Sequence, residues 1–319
     1  MKIEFNLNRV ILFIILIIVF YTIFILFADL EKFSSEFKKI NLYFVPLILG
    51  IHLISLFFYS LRQKVLLDSL DIRLSLKQNI IFQFTGYSML ITPGGLGELI
   101  KTHFLKQIHS KKYVETVPVV LAEKYHNLFA LTVIITVMLF FKSDFEIEII
   151  VGIIWILLII SLAIIKSHKI FLVNKLPKIG IFKKIFENMT DFSSTLLMLT
   201  QKKVFVKCFC LGLIAVFTDA IAIYLCFLAF GIHYSFIDST LFTGISLVVG
   251  AISFLPGGIG ITDLSIAGLL VRSGIITSLA LTLTIFIRFM ITWSTVLIGI
   301  ITLRFALRNR MNKNSTEIS

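Results

Sequence analysis

Two apolar stretches of this 319-residue chain are interrupted in the same way. Thr92-Pro93-Gly94-Gly95-Leu96-Gly97-Glu98 in the first half is matched by Pro256-Gly257-Gly258-Ile259-Gly260-Ile261-Thr262-Asp263 in the second, 163 positions later (256 − 93). Proline lacks an amide N–H, and glycine gives up the most backbone entropy on ordering, so neither motif continues a helix easily. Hydrocarbon tolerates irregular backbone only where protein or a wet cavity surrounds it, and a matched pair of interrupted segments points to a transport site at membrane depth. Whatever fold carries these motifs must bury two helix breaks.

That the surroundings are hydrocarbon follows from composition. The chain is 58% hydrophobic and 15% charged, against about 25% charged in soluble domains. The expected class is an all-α polytopic membrane protein, a single integral membrane domain over 1–319. Apolar segments use up the length, so no soluble catalytic domain of about 100 residues is expected. The net charge of +12 sits mostly on lysines between apolar runs, where the positive-inside rule accounts for it, and no nucleic-acid partner is expected.

Apolar runs near 10–28, 43–61, 115–141, 147–165, 205–229 and 276–304 reach the roughly 20 residues a helix needs to cross the bilayer. They give six full spans. The segments near 79–105 and 238–271 are split by the Pro-Gly-Gly motifs into halves too short to span, which makes them two re-entrant broken-helix hairpins. The alternative is a pair of kinked complete helices, hence eight full spans. Arg62, Lys64, Arg73 and Lys77, then Lys101, Lys106, Lys111 and Lys112, and the tail residues Arg304, Arg308, Arg310 and Lys313 mark cytoplasmic loops and cytoplasmic N and C termini. The 166–203 connection carries eight lysines (166, 169, 175, 178, 183, 184, 202 and 203) against Glu187 and Asp191, and reads as a basic cytoplasmic loop with an amphipathic helix. Three spans separate the two hairpins, so repeat halves of about 43–141 and 205–304 are inverted, as in many secondary transporters.

A half-helix that starts after a break presents unpaired N–H groups and a positive dipole end. The candidate binding residues are therefore Pro93, Gly94, Gly95, Gly97 and Glu98, and Pro256, Gly257, Gly258, Gly260 and Asp263. A lipid phosphate suits such a site, and glycines let backbone approach it closely. Intramembrane charges cost about 2.5–3.5 kcal/mol each on insertion scales, which adds Glu123, Lys124, Asn127 and Arg288 to the candidates. Glu123 and Arg288 follow the prolines of their own halves at nearly equal distances in sequence (123 − 93 = 30 and 288 − 256 = 32). A Glu123–Arg288 contact across the repeat interface is therefore expected, with Asp219 as the other partner open to Arg288. Lys101 is expected to snorkel to the cytoplasmic face, and His52, His103, His109, His168 and His233 to lie at surfaces or interfaces.

No catalytic residue, metal site or cofactor is expected. Cys208, Cys210 and Cys226 share one apolar stretch with no histidine near them. The chain carries no G-x-S-x-G elbow, H-E-x-x-H or Walker lysine.

Thr92 to Leu99, the Ala122-Glu123-Lys124-x-x-Asn127 stretch, and Pro256 to Gly260 with Asp263 and Arg288 together resemble the lysylphosphatidylglycerol synthetase-type membrane domain, a flippase-like family, over most of the chain. That family prefers arginine where this sequence has Lys101 and Lys124, aspartate at Asn127 and glutamate at Asp263. Only the change at Asn127 alters charge. The resemblance implies translocation, across the cytoplasmic membrane of a prokaryote, of a phosphate-bearing lipid such as an aminoacyl phospholipid or a polyprenyl-phosphate-linked sugar. In two-domain relatives a soluble transferase follows. Only 15 residues follow Arg304 here (319 − 304), so translocation without lysyl transfer is expected, with membrane lipids and a separate glycosyltransferase or lipid-modifying enzyme as partners. The competing classes are an integral membrane transferase acting on lipid-linked substrates and a non-transporting scaffold for a cell-envelope enzyme.

Overall fold

The computed structural model describes residues 30–92, 98–109, 113–166, 192, 194–253 and 255–316. The expected first span, most of the basic loop with its amphipathic helix, and Pro93, Gly94, Gly95 and Gly97 lie outside the described residues. The helices are α1 (Leu30–Lys38), α2 (Phe44–Asp68), α3 (Leu76–Tyr87), α4 (Ile100–His109), α5 (Tyr113–Phe141), α6 (Phe145–Lys166), α7 (Lys202–Ala229), α8 (Phe236–Ile252), α9 (Ile261–Arg272), α10 (Thr277–Arg288) and α11 (Ser294–Thr316). A 3-10 turn at Pro256–Gly258 precedes α9, and a π turn at Phe289–Trp293 joins α10 to α11. Among the described residues, five stretches are long and apolar enough to cross a membrane: Phe44–Asp68, Glu115–Phe141, Glu146–Ile164, Lys202–Ala229 and Thr277–Ala306. They coincide with five of the six expected spans. The outward stripe of α6, including Ile153, Ile156, Leu157 and Ile160, is exposed, which suits contact with lipid rather than water.

The two halves use the same local chemistry. The Ile72 N–H donates to the Leu67 carbonyl and the Ile232 N–H to the Phe227 carbonyl, each at 3.0 Å. Both are the helix-ending turn in which an N–H reaches back five positions to a carbonyl of the last turn. Each is built around one left-handed residue, Asp71 (φ 56°) or Gly231 (φ 68°), and the two positions differ by 160 (231 − 71). Aspartate is among the few non-glycine residues that tolerate that conformation. Ser75 and Ser235, at the same offset of 160 (235 − 75), then cap α3 and α8. Ser75 Oγ accepts from the Gln78 N–H at 3.3 Å, and Ser235 Oγ from the Asp238 N–H at 3.1 Å.

Each interrupted segment folds back on itself. In the first, Gly86 of α3 lies against the Lys101 side chain of α4, and the Phe82 and Phe104 rings meet edge to face at 6.3 Å. In the second, a Cβ on Gly250 of α8 would sit 1.8 Å from Thr262 Oγ1 of α9, so only glycine allows that approach.

The hairpins enter the bundle from opposite ends. The first shares a core with the end of α2 and the starts of α5 and α7 (Leu66, Leu67, Phe82, Phe104, Val119, Cys208). The second shares one with the start of α2 and the end of α7 (Ile48, Ile223, Phe227, Ile266, Leu283). At that second end, Lys142 pairs with Asp238, and Arg272 with Glu146 at 2.5 Å. Packing between the halves is reciprocal as well: α11 crosses the end of α3 at Gly299, and α5 crosses α8 at Gly244.

Candidate functional site

The first hairpin holds a nearly dry cluster of charges. Glu98, just ahead of α4, pairs with Lys124 of α5 and lies 3.7 Å from Lys101. Lys101, only 2% exposed, donates to Glu123 Oε2 at 2.6 Å and to Gln83 Oε1 at 3.1 Å. Gln83 in turn donates to the Tyr87 hydroxyl at 2.8 Å. Two acids and two lysines thus cancel one another where isolated charges would be expensive. Lys124 is the most open member, with a side chain 37% exposed.

The second hairpin solves a backbone problem with one ion pair. The break leaves Gly257 at φ 59°, Gly258 at φ 66° and Gly260 at φ 89°, and in hydrocarbon their polar groups must be satisfied internally. Arg288 Nη2 donates to the Gly257 carbonyl at 2.6 Å, and the Gly260 N–H donates to Asp263 Oδ2 at 2.9 Å. Arg288 Nε lies 3.0 Å from Asp263 Oδ1; the N–H direction completes no hydrogen bond there, so that contact is coulombic. Arg288 Nη1 also donates to Thr292 Oγ1 in the π turn, at 3.1 Å.

The two halves therefore repeat one device: an acid at the start of the second half-helix, bound to a cation on the following span. The spacing is nearly the same in each, 26 from Glu98 to Lys124 and 25 from Asp263 to Arg288 (288 − 263). This corrects the sequence-based pairing. Glu123 and Arg288 do not meet, because each has an opposite charge in its own half, and the counterpart of Arg288 is Lys124. Asp219 does not serve Arg288 either. Lys101 is buried, not snorkelling, since Glu123 and Gln83 hold its amine inside. The second break does reach the first hairpin ahead of its own break: a Cβ on Gly257 would sit 3.6 Å from both Cα and Cγ2 of Ile91.

Sequence reasoning misread two groups. Arg62, read as a loop charge, is 1% exposed inside α2. Its guanidinium donates to Asn127 Oδ1 and stacks over the Tyr59 ring at 5.0 Å, and its Nε has no hydrogen-bond partner among the described residues. It packs against Gly212 of α7. Asn127 thus binds a cation as a neutral acceptor. His52 is not at a surface; it is buried mid-helix and bonded to Asp219 and Thr295. The spacing of Tyr59 and Arg62 along α2 was the available signal, since i and i+3 share a helix face.

The family model described as lysylphosphatidylglycerol synthase TM region matches residues 11–299. The chain belongs to this family. Within the lysylphosphatidylglycerol synthase TM-region family it is similar to a UPF0104 membrane protein of Pyrococcus horikoshii, with 27% identity over 90% of this chain and 94% of that one. A UPF0104 membrane protein of Methanothermobacter thermautotrophicus is 33% identical over 93 residues, 29% of this chain and 28% of its own. The family match spans both hairpins, so each buried charge described above lies within it.

Proposed function

We propose that the protein is a flippase-like translocator of a phosphate-bearing lipid, an aminoacyl phospholipid or a polyprenyl-phosphate-linked sugar. It acts as a multi-pass protein of a prokaryotic cytoplasmic membrane with both termini in the cytoplasm. The observation that carries this reading is the meeting of two oppositely directed broken-helix hairpins at Ile91 and Gly257, each backed by a buried acid–cation pair. Such paired breaks near the membrane midplane are where substrates bind in inverted-repeat transporters, and on this reading both hairpins are re-entrant.

The pairs give a headgroup partners to exchange with. A phosphate competes with Glu98 for Lys124, and a headgroup amine competes with Lys124 for Glu98. Arg62 offers a guanidinium not engaged by a carboxylate, and a guanidinium matches phosphate oxygens bidentately. Asp263 caps Gly260 in this state, so the second half-helix takes an anion only after that cap moves. The sequence carries no nucleotide-binding motor, so movement is downhill or coupled to ions or protons unless a partner supplies the energy. The cargo is made by a separate glycosyltransferase or lipid-modifying enzyme.

The test is fluorescence quenching of labelled lipids in proteoliposomes, with aminoacyl phospholipid and polyprenyl-phosphate sugar compared side by side. Protein-dependent movement of either class, slowed at least tenfold by Arg288→Ala, supports translocation. Absence of movement for both, in folded protein, refutes it.

A further inference from the structure

A cavity of about 220 Å³ opens between the end of α6 and the start of α7, lined by Leu162, Thr200, Lys202 and Phe205. None of these four residues belongs to a hairpin. The walls differ in kind. Leu162 and Phe205 are apolar, and the Phe205 ring is backed by His126 and Phe129 of α5, with centroids 5.1 and 5.5 Å away. Within a turn of Leu162, Ile159, Ile160 and Ile164 are exposed on α6, so that wall runs on into a surface suited to lipid. Lys202 and Thr200 make the polar side.

The charge beside the cavity has no counter-charge on either helix. Lys202, Lys203 and Lys207 are all exposed on the first two turns of α7. The sequence has no acid between Glu148 and Glu187, and none between Asp191 and Asp219. Cations at a helix N-terminus oppose its dipole, so these lysines do not serve α7 itself. The positive-inside rule accounts for the side of the membrane they occupy, but not for a hollow with an apolar wall beside them. Pockets that enclose a whole drug-sized ligand run to about 300–1,000 Å³, so this one suits a compact headgroup whose chains leave along α6. A soluble phosphate ester would leave the apolar wall uncovered.

We infer that this cavity binds one anionic phospholipid, its phosphate at Lys202 and its chains along Leu162 and the outer face of α6. This lipid is resident rather than cargo. Because Phe205 backs onto His126, within one turn of Glu123 and Lys124, an occupied site braces the span that carries the partners of the first hairpin's charges. The test needs no lipid movement, so the site stands or falls separately from the translocation reading.

Native mass spectrometry of the full chain, released from detergent, counts bound lipids directly. Phosphatidylglycerol, an anion, and phosphatidylcholine, which has no net charge, are added in turn with the same chains and at equal concentrations. The expected result is one phosphatidylglycerol per chain at concentrations where phosphatidylcholine leaves the chain bare. Lys202→Gln should weaken that binding about fivefold, the worth of one basic residue at an anionic surface; the position is exposed, so the fold is undisturbed. Leu162→Trp fills the cavity, keeps every lysine and should abolish the binding. Lys77→Gln removes an equally exposed charge in the first turn of α3 and should leave it unchanged. Glycerol 3-phosphate, an anion without chains, should not displace the lipid. Equal binding of the two lipids, displacement by glycerol 3-phosphate, or binding that either Lys202→Gln or Leu162→Trp leaves intact overturns the inference.

Discussion

Lys101 and Glu123 meet at 2.6 Å with side chains only 3% exposed, and Glu123 Oε1 has no further hydrogen-bond partner. Lys101→Met therefore leaves a buried carboxylate without its cation, and removing one member of a buried pair costs about 3–5 kcal/mol. Glu123→Gln strands the ammonium less completely, because Glu98 is 3.7 Å away and Gln83 remains, so the expected loss is nearer the lower bound of about 3 kcal/mol. The double variant removes both charges from the dry cluster, and its loss should be far less than the sum, with a coupling of at least about 2 kcal/mol. Reversible unfolding of the four proteins in mixed micelles, read by tryptophan fluorescence and far-UV dichroism, gives the cycle directly. Additive losses, with a coupling under about 0.5 kcal/mol, would refute the claim that these side chains form an exclusive pair.

Arg62 carries a buried charge that no carboxylate among the described residues contacts, so Arg62→Met should leave stability unchanged or raise it while slowing lipid movement at least tenfold; unfolding and proteoliposome assays on the same preparation separate the two effects. A Cβ on Gly299 would sit 2.2 Å from the Ser88 nitrogen and 2.6 Å from the Tyr87 carbonyl carbon. Gly299→Ala should therefore destabilise by about 2 kcal/mol, overpacking at the top of its usual range less the helix gain of alanine. Gly244→Ala meets side chains rather than backbone, Ile135 Cγ1 at 3.1 Å and Leu131 Cδ1 at 3.6 Å, and should stay within about 1 kcal/mol in the same assay. Arg272→Ala removes an ion pair whose partners are 60% and 67% exposed; no resolvable change in thermal unfolding is expected.

The spans were legible because lipid-facing helices such as α6 must be apolar over their whole length, and the breaks because proline and glycine leave few helical options. The cap serines were legible too: Ser75 and Ser235 each stand three residues before a side chain, Gln78 or Asp238, that answers the cap. Reading them would have fixed the repeat offset at 160 in this region, three short of the proline offset, and placed the extra length in α8. Pairings were harder. Glu123 and Lys124 are adjacent in sequence, yet one serves Lys101 and the other Glu98, because neighbours on a helix point about 100° apart. Distance from the proline alone could not decide which of them corresponds to Arg288. The His52–Asp219–Thr295 group spans residues 243 positions apart and carries no local pattern, and the π turn that sets the register of Thr292 and Thr295 leaves no mark in composition.

The central claim is that lipid passes where the two hairpins meet, and Ile91 and Gly257 test it most directly. A Cβ at position 257 would sit 3.6 Å from the Ile91 Cα, near enough for Ile91→Cys and Gly257→Cys to be tested for a disulfide. In proteoliposomes, oxidation should stop lipid movement, and reduction should restore it in the same sample. Undiminished movement through protein shown to be fully cross-linked would contradict the account.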